Sequence, residues 1–218
     1  MKLLRKILPL PAISYAITVN NEAEEITRLL DILLPLIDKK DEVIVLQDIT
    51  RKDEKVTAIL DKYGEKIIRI EACLDGDFAS FKNNLIKAAK KKYLFQIDAD
   101  EYPTEYLIKN LKDYLRNKSN IDCFYVPRIN IVDGITADYI QKMKWDINNK
   151  GYINFPDYQS RILKNNKKIF WKNKVHEVFY GYKKIAEMPK DYNFCLIHYK
   201  SFEKQKTQNE FYNNLELD

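Results

Sequence analysis

The feature that most constrains this chain is an alternation repeated along its first half: a short apolar run, then a segment with apolar residues at helical spacing. Residues 12–19 (AISYAITV), 42–47 (EVIVLQ), 66–71 and 93–97 (YLFQI) read as strands, and 22–37, 53–63 and 77–91 as helices. Ile26, Leu29, Leu30, Leu33 and Leu34 share one side of the first helix, and Phe78, Phe81, Leu85, Ala88 and Ala89 one side of the third. Gly64 reads as a C-cap, and Pro103 as the first-turn residue of a further helix reaching about Asn117. Strands that are apolar nearly throughout belong inside a parallel sheet covered on both faces. The expected fold class is therefore α/β: a Rossmann-like, mostly parallel sheet flanked by helices. Ligands of such sheets bind outside the carboxyl ends of the strands. Three polar groups fall at such ends: Asn20 to Glu22, Asp48, and Asp98 to Glu101.

Near Ile121 the alternation stops. Residues 122–132 read as a strand pair or one long strand, 160–163, 174–180 and 193–200 as further strands, and 201–215 as a polar helix. The second half is expected to be a smaller lobe on the same sheet. At 218 residues the chain is long enough to bury a core without disulfides. Five glycines, with no G-x-G-x-x-G and no G-x-x-x-x-G-K-[ST], remove the main support for dinucleotide and P-loop readings. Cys73, Cys123 and Cys195 form no C-x-x-C and are expected to be buried and reduced. No run of 18 apolar residues is present, so no membrane span is expected. The basic start (Lys2, Arg5, Lys6) imitates a signal peptide, but Pro9 and Pro11 break its apolar run, and a cytoplasmic protein is expected. The net charge of +5 suits an anionic ligand without implying nucleic acid.

Asp98-Ala99-Asp100 follows an apolar strand. Two carboxylates separated by one small residue can share a divalent ion, and hard oxygen ligands suit Mg²⁺ or Mn²⁺. The same residues would also serve as a solvated turn or as helix N-terminal acids. Their context decides more. Residues 13–22 (ISYAITVNNE), 43–48 (VIVLQD), 77–83 (DFASFKN) and 95–101 (FQIDADE), in that order, resemble the family-2 nucleotide-sugar glycosyltransferases of the GT-A fold. Residues 155–161 (FPDYQSR) and 175–177 (VHE) resemble the subset related to lipopolysaccharide-core glucosyltransferases. The resemblance covers residues 12–200.

That resemblance implies a division of labour. Residues 1–120 would be the nucleotide-sugar-binding half, and 121–218 the acceptor-binding half of one GT-A domain. The Val19-Asn20-Glu22 turn would meet base and ribose, and Asp48 the base. Lys82 or Asn83 would lie near the diphosphate or sugar. Asp98, with Ala99 beside it, would meet ribose or sugar, and Asp100 would hold the Mn²⁺ or Mg²⁺ that neutralises the leaving nucleoside diphosphate. His198 would be an added metal ligand of the kind several GT-A enzymes take late in the chain; His176 is a weaker candidate. Inverting transfer needs a base for the acceptor proton. Glu177 is the first candidate, with Asp157 as runner-up; the competing role for Glu177 is an ion pair with Arg161, Lys172 or Lys174.

The implied activity is sugar transfer from a nucleotide-sugar, UDP-linked, to an acceptor hydroxyl, with inversion. Trp145, Trp171, Tyr152, Phe155 and Tyr158 lie in the acceptor half, where aromatic faces could stack on sugars or bases. Residues 161–174 hold six basic residues and no acid (Arg161, Lys164, Lys167, Lys168, Lys172, Lys174), either as a solvated hairpin or as a surface for an anionic acceptor. That acceptor would be a phosphorylated glycan, or DNA with a hydroxymethylated base that Trp171 or Trp145 receives. Residues 198–212 also resemble the tails of small phage-type glycosyltransferases. Two other functions fit the scaffold: a sugar-phosphate nucleotidyltransferase, which normally carries a Gly-rich basic loop after its first strand, and a non-catalytic sugar or nucleic-acid binding module.

Overall fold

The computed structural model describes residues 9–166 and 168–215. Lys2, Arg5, Lys6 and Lys167 lie outside the described residues, as do the side chains from residue 210 onward. The alternation expected from the sequence is present: β1 (Ile13–Val19), α1 (Ala23–Leu33), β2 (Glu42–Asp48), α2 (Glu54–Tyr63), β3 (Ile68–Ala72), α3 (Phe78–Ala88) and β4 (Tyr93–Asp98) follow in order. α1 stops short of the expected Ile37 because Pro35 has no N–H to continue the ladder. Asp53 caps α2 by accepting from the amides of Lys55 and Val56, and Gly64 ends it at φ +49°.

Pro103 does not open a helix. It closes the short strand β5 (Glu101–Pro103), and the next helix, α4 (Glu105–Asn117), is capped by the Thr104 side chain. Then come β6 (Cys123–Asp133), a single long strand, α5 (Ala137–Met143), and β7 (Ile153–Lys164). The expected strand over 174–180 is instead a hairpin of β8 (Phe170–Lys172) and β9 (Val178–Tyr180), and residues 173–177 form its loop, with Asn173 and His176 at positive φ. β10 (Ile185–Glu187), β11 (Leu196–Ser201) and α6 (Phe202–Leu215) complete the chain. The sequence reading missed β5, α5, β8 and β10, all of seven residues or fewer.

The large sheet runs β3-β2-β1-β4-β7-β6-β11-β5, with β10 on β6. The first four strands are mutually parallel; β7 runs antiparallel between β4 and β6, and β11 runs parallel to β6. β5, from the first half, pairs antiparallel with β11, from the end of the chain, placing Glu101 opposite His198. The two halves are thereby interlocked in one sheet.

Alternate residues of the strands fill two cores. Ile13, Tyr15, Ile17, Val43, Val45, Tyr93 and Phe95 pack under α1, α2 and α4. Ala16, Ile44, Leu46 and Leu94 pack under α3 and the β8–β9 hairpin, whose Trp171 and Phe179 point inward. Asn83 of α3 ties that hairpin down: its amide donates to the Trp171 carbonyl and accepts from the Trp171 amide, both at 2.9 Å. Cys123 and Cys195 are buried as expected, but Cys73 is exposed, since it follows β3 at the sheet edge.

Candidate active site

The carboxyl ends of β1, β2 and β4 form one rim, and the three predicted polar groups meet there. At the end of β1, Val19 is buried, and the Glu22 carboxylate accepts from the amides of Asn20 at 2.8 Å and Asn21 at 3.1 Å. Glu22 therefore shapes the β1–α1 turn. Burial and the nearby negative Asp100 raise its pKa against those amide bonds. Asp48 is 4% exposed, and its Oδ1 accepts from the Thr50 amide, the Thr50 hydroxyl and the Leu74 amide. This oxygen holds together the exits of β2 and β3.

β4 delivers Asp98, Ala99 and Asp100. Asp98 accepts from Thr18 Oγ1 at 2.8 Å, Gln96 Nε2 at 2.7 Å and Arg161 Nη2 at 2.7 Å, and Lys82 Nζ stands 3.5 Å away. Burial alone would raise its pKa. The Arg161 and Lys82 charges and the two neutral donors outweigh burial and hold the carboxyl well below its usual range. Ala99 is buried, its amide bonded to the Thr18 carbonyl. Asp100 Oδ2 faces His198 Nε2 at 3.3 Å and Lys200 Nζ at 3.1 Å. These partners overcome burial and keep Asp100 ionised. His198 is 8% exposed, and burial lowers its pKa against the pull of Asp100.

Lys82 is the hub joining donor rim and hairpin. It is 6% exposed, with Nζ 2.6 Å from Glu177 Oε1. The partner of Glu177 is thus Lys82, not the Arg161, Lys172 or Lys174 expected from proximity in sequence. Asn83 does not reach the rim, since Trp171 holds its amide. Arg161 is 4% exposed, bonded to Gln96, to Asp98 and to Glu101 at 2.5 Å, so it leaves the basic surface stretch to which its sequence position assigned it. Asp157 is held by Arg128 Nη2 at 2.6 Å, Asn130 Nδ2 at 2.8 Å and Gln159 Nε2 at 2.7 Å. Burial would raise the Asp157 pKa, but Arg128 and these donors lower it overall.

The aromatic candidates divide. Trp171 is 2% exposed against Phe179 and cannot receive a base. Trp145 is half-buried, edge-on to Tyr139, Tyr152 packs on Phe155, and the Tyr158 hydroxyl donates to the Met188 carbonyl. Sequence reasoning placed Glu101 at the rim without a role and missed Thr18, Gln96, Arg128, Asn130 and Lys200. Only Gln96, a polar residue inside an otherwise apolar strand, carried a local signal.

No group of three His, Cys, Asp or Glu side chains able to hold a metal occurs among the described residues. Asp100 and His198 are a two-ligand set, one carboxylate and one imidazole, 3.3 Å apart, and Lys200 Nζ shares the same Asp100 oxygen at 3.1 Å, so an ion there would displace that ammonium. Adjacent ligands of a six-coordinate ion with bonds near 2.1 Å lie about 3 Å apart, so the pair fits one corner of such a shell.

A sequence model of glycosyl transferase family 2 matches residues 14–198. The chain belongs to this family. Among solved structures, S. aureus TarS 1-349 in complex with UDP-GlcNAc superposes with a TM-score of 0.59 at 16% identity, over 87% of this chain and 58% of that one. The complex of TarS 1-349 with UDP gives a TM-score of 0.59 at 15% identity, over 87% of this chain and 60% of that one. This likeness shows the shared GT-A fold, and the chain spans about three-fifths of the length of those structures. No curated protein matches it by sequence. No helix among its described residues is long and apolar enough to cross a membrane.

Proposed function

We propose that this glycosyltransferase moves a sugar from a UDP-linked donor to a hydroxyl of an anionic glycan acceptor, with inversion, using Mn²⁺ or Mg²⁺. The observation that carries the reading is the convergence on Lys82: its ammonium touches both the candidate base Glu177 and the rim carboxylate Asp98. A divalent ion would be held by Asp100 and His198, with the donor phosphates completing its shell, and would neutralise the leaving diphosphate. Asp98 is ionised, and it would accept from a ribose or sugar hydroxyl by exchanging one of its present donors, with Lys82, at 3.5 Å, the most loosely held of them. Lys82 adds a fixed positive charge beside the place where negative charge develops on the leaving group. Glu177 takes the acceptor proton. Asp157 is disfavoured as base because Arg128, Asn130 and Gln159 already engage its carboxylate. The UDP preference follows the TarS complexes at the level of fold.

The acceptor reading draws on Lys168, Lys172 and Lys174, all exposed on or beside the hairpin that carries Glu177. Burial of Trp171 removes one of the two aromatic candidates for a flipped base, and half-buried Trp145 packs edge-on against Tyr139, so a glycan is favoured over hydroxymethylated DNA. A nucleotidyltransferase is disfavoured because the β1–α1 turn closes on Glu22 and carries no basic Gly-rich loop. The test is a panel of nucleotide-sugars with and without Mn²⁺, read by thermal shift and by release of nucleoside diphosphate. Asp100→Ala should abolish the Mn²⁺-dependent shift and the release. Metal dependence surviving in that variant overturns the metal assignment, and pyrophosphate release from UTP and a sugar-1-phosphate overturns the reaction class.

A further inference from the structure

The β8–β9 hairpin is a two-stranded sheet of its own, off the main sheet. Its pairing sets Phe170 against Tyr180, Trp171 against Phe179 and Lys172 against Val178. Successive strand residues point to opposite faces, so the hairpin has two unlike sides. Trp171 and Phe179 point inward and are buried. Phe170, Lys172, Val178 and Tyr180 point outward, and all four are exposed. Three of the eight large apolar residues exposed among the described residues thus share one side of this hairpin. Single exposed apolar residues need no explanation, but a cluster on one face marks an interaction surface.

The charge around this face has one sign. Between Lys164 and Lys184 the sequence has one acid, Glu177, and that carboxylate turns inward to Lys82. Lys168, Lys172 and Lys174 are exposed at the hairpin, and Lys183 and Lys184 follow it. Two further acids come near. Asp77 feels the Lys174 charge, but Ser80 at the start of α3 engages its carboxylate, and Asp122, which accepts from the amides of Lys183 and Lys184, is paired with Lys164. This pattern selects the partner. A sugar or base stacks on a bare ring face, whereas Lys172 Nζ lies 4.9 Å over the Tyr180 ring, with Phe170 tilted against it at 5.5 Å. A nucleic-acid backbone would take the lysines and leave Phe170 and Val178 against hydrated phosphates. A second copy of the chain would bring lysine against lysine. An anionic lipid surface meets both parts of the face: aromatic and aliphatic side chains enter the headgroup boundary, and lysines reach the lipid phosphates.

We propose that the outer face of the β8–β9 hairpin docks on a membrane surface of anionic lipid, with Phe170, Val178 and Tyr180 entering the interface while Lys168, Lys172 and Lys174 meet the headgroups. Val178 follows Glu177 directly, so docking would bring the proposed base toward an anionic glycan anchored in the same membrane. Binding to the lipid surface is itself independent of that reading of the reaction.

Vesicle flotation of the full chain, without donor or metal, tests the proposal. The protein should float with vesicles of phosphatidylcholine mixed with phosphatidylglycerol and hardly at all with phosphatidylcholine alone, and added salt should weaken the binding. Each lysine near such a surface typically strengthens binding about fivefold, so Lys168→Gln/Lys172→Gln/Lys174→Gln should weaken it about 100-fold. Phe170→Ser/Tyr180→Ser changes only outward-facing residues, should keep the circular dichroism of the wild type, and should weaken binding at least about tenfold through lost apolar burial. If either variant fails to fold, the lipid and salt dependence of the wild type decides. Wild-type binding indifferent to lipid charge or salt, unchanged binding in either folded variant, or no binding to the anionic vesicles overturns the proposal. Heparin, a soluble polyanion, supplies the last arm: heparin binding without vesicle binding overturns the lipid partner and assigns the face to a soluble anionic one.

Discussion

Replacing Arg161 with Met tests whether the buried ion cluster holds the two halves of the molecule together. Arg161 on β7 bonds Gln96 and Asp98 on β4 and Glu101 on β5, and its side chain is 4% exposed while that of Glu101 is fully buried. The cluster contains two guanidinium groups, Arg128 and Arg161, against three carboxylates, Asp98, Glu101 and Asp157. Arg161→Met leaves Arg128 and the more distant Lys82 against three anions in a region of low water access. Breaking a buried ion pair by removing one partner costs about 3–5 kcal/mol. The lower end applies here because Glu101 keeps Arg128 at 2.9 Å, and Asp98 keeps Thr18, Gln96 and the more distant Lys82. A loss of about 3 kcal/mol corresponds to a fall in melting temperature of roughly 6–12 °C for a chain of this size. Urea unfolding followed by circular dichroism, at low and high salt, gives the measurement. The loss should be nearly salt-independent, because buried pairs are weakly screened. Adding Glu101→Gln to Arg161→Met should recover part of it, since the second change removes an uncompensated charge. The exposed pair Lys109–Glu105 supplies the contrast: Lys109→Ala should cost no more than about 0.5 kcal/mol. An Arg161→Met protein that melts within two degrees of wild type, or a double variant less stable than the single one, would refute the reasoning.

Glu177→Gln should lose transfer by about 10² to 10⁴ while donor binding persists, whereas Asp157→Asn should retain more turnover; the reverse order in a steady-state assay would move the base to Asp157. Gly181 has φ +83°, and a methyl group there would stand 1.9 Å from the Lys168 carbonyl oxygen, so Gly181→Ala should loosen the β8–β9 hairpin, read as faster amide exchange over residues 169–180; unchanged exchange would show that the backbone accommodates the contact. The carboxyls of Asp98 and Asp157 are held below their unfolded values, so the stability they contribute is complete above about pH 4 and is lost as pH falls through their lower folded values. Melting temperature should therefore drop on acidification below about pH 4, and Asp157→Asn should flatten that limb; an identical acid limb in the variant would contradict the assignment.

The part of the molecule legible in the sequence is the part governed by local pattern. β1, β2 and β4 are buried on both faces, so their residues are apolar regardless of alternation, and α1 and α4 each show one apolar face to the sheet. The rim followed from topology alone, because parallel strands must deliver Asp48 and Asp98 to the same edge. The charges of the second half were not legible for the opposite reason. Arg161, Ile162 and Leu163 are consecutive and all buried, because β7 lies inside the sheet with both faces covered, so no alternation separates the buried guanidinium from the surface lysines that follow it. Its carboxylate partners are 60 and 63 residues away. Asp157 and Glu177 were equivalent as carboxylates in the sequence, and they differ in the company each keeps. Asp157 meets Arg128 from a neighbouring strand 29 residues away, together with two amides, which suits an anchor. Glu177 meets one lysine, reached over 95 residues, which in turn touches Asp98 of the D-x-D turn. A base needs a lone pair that an acceptor hydroxyl can reach, and a carboxylate encircled by donors cannot offer one without giving up a partner. The choice between the two is therefore set by long-range pairing, and that pairing favours Glu177 on the hairpin as the proposed base.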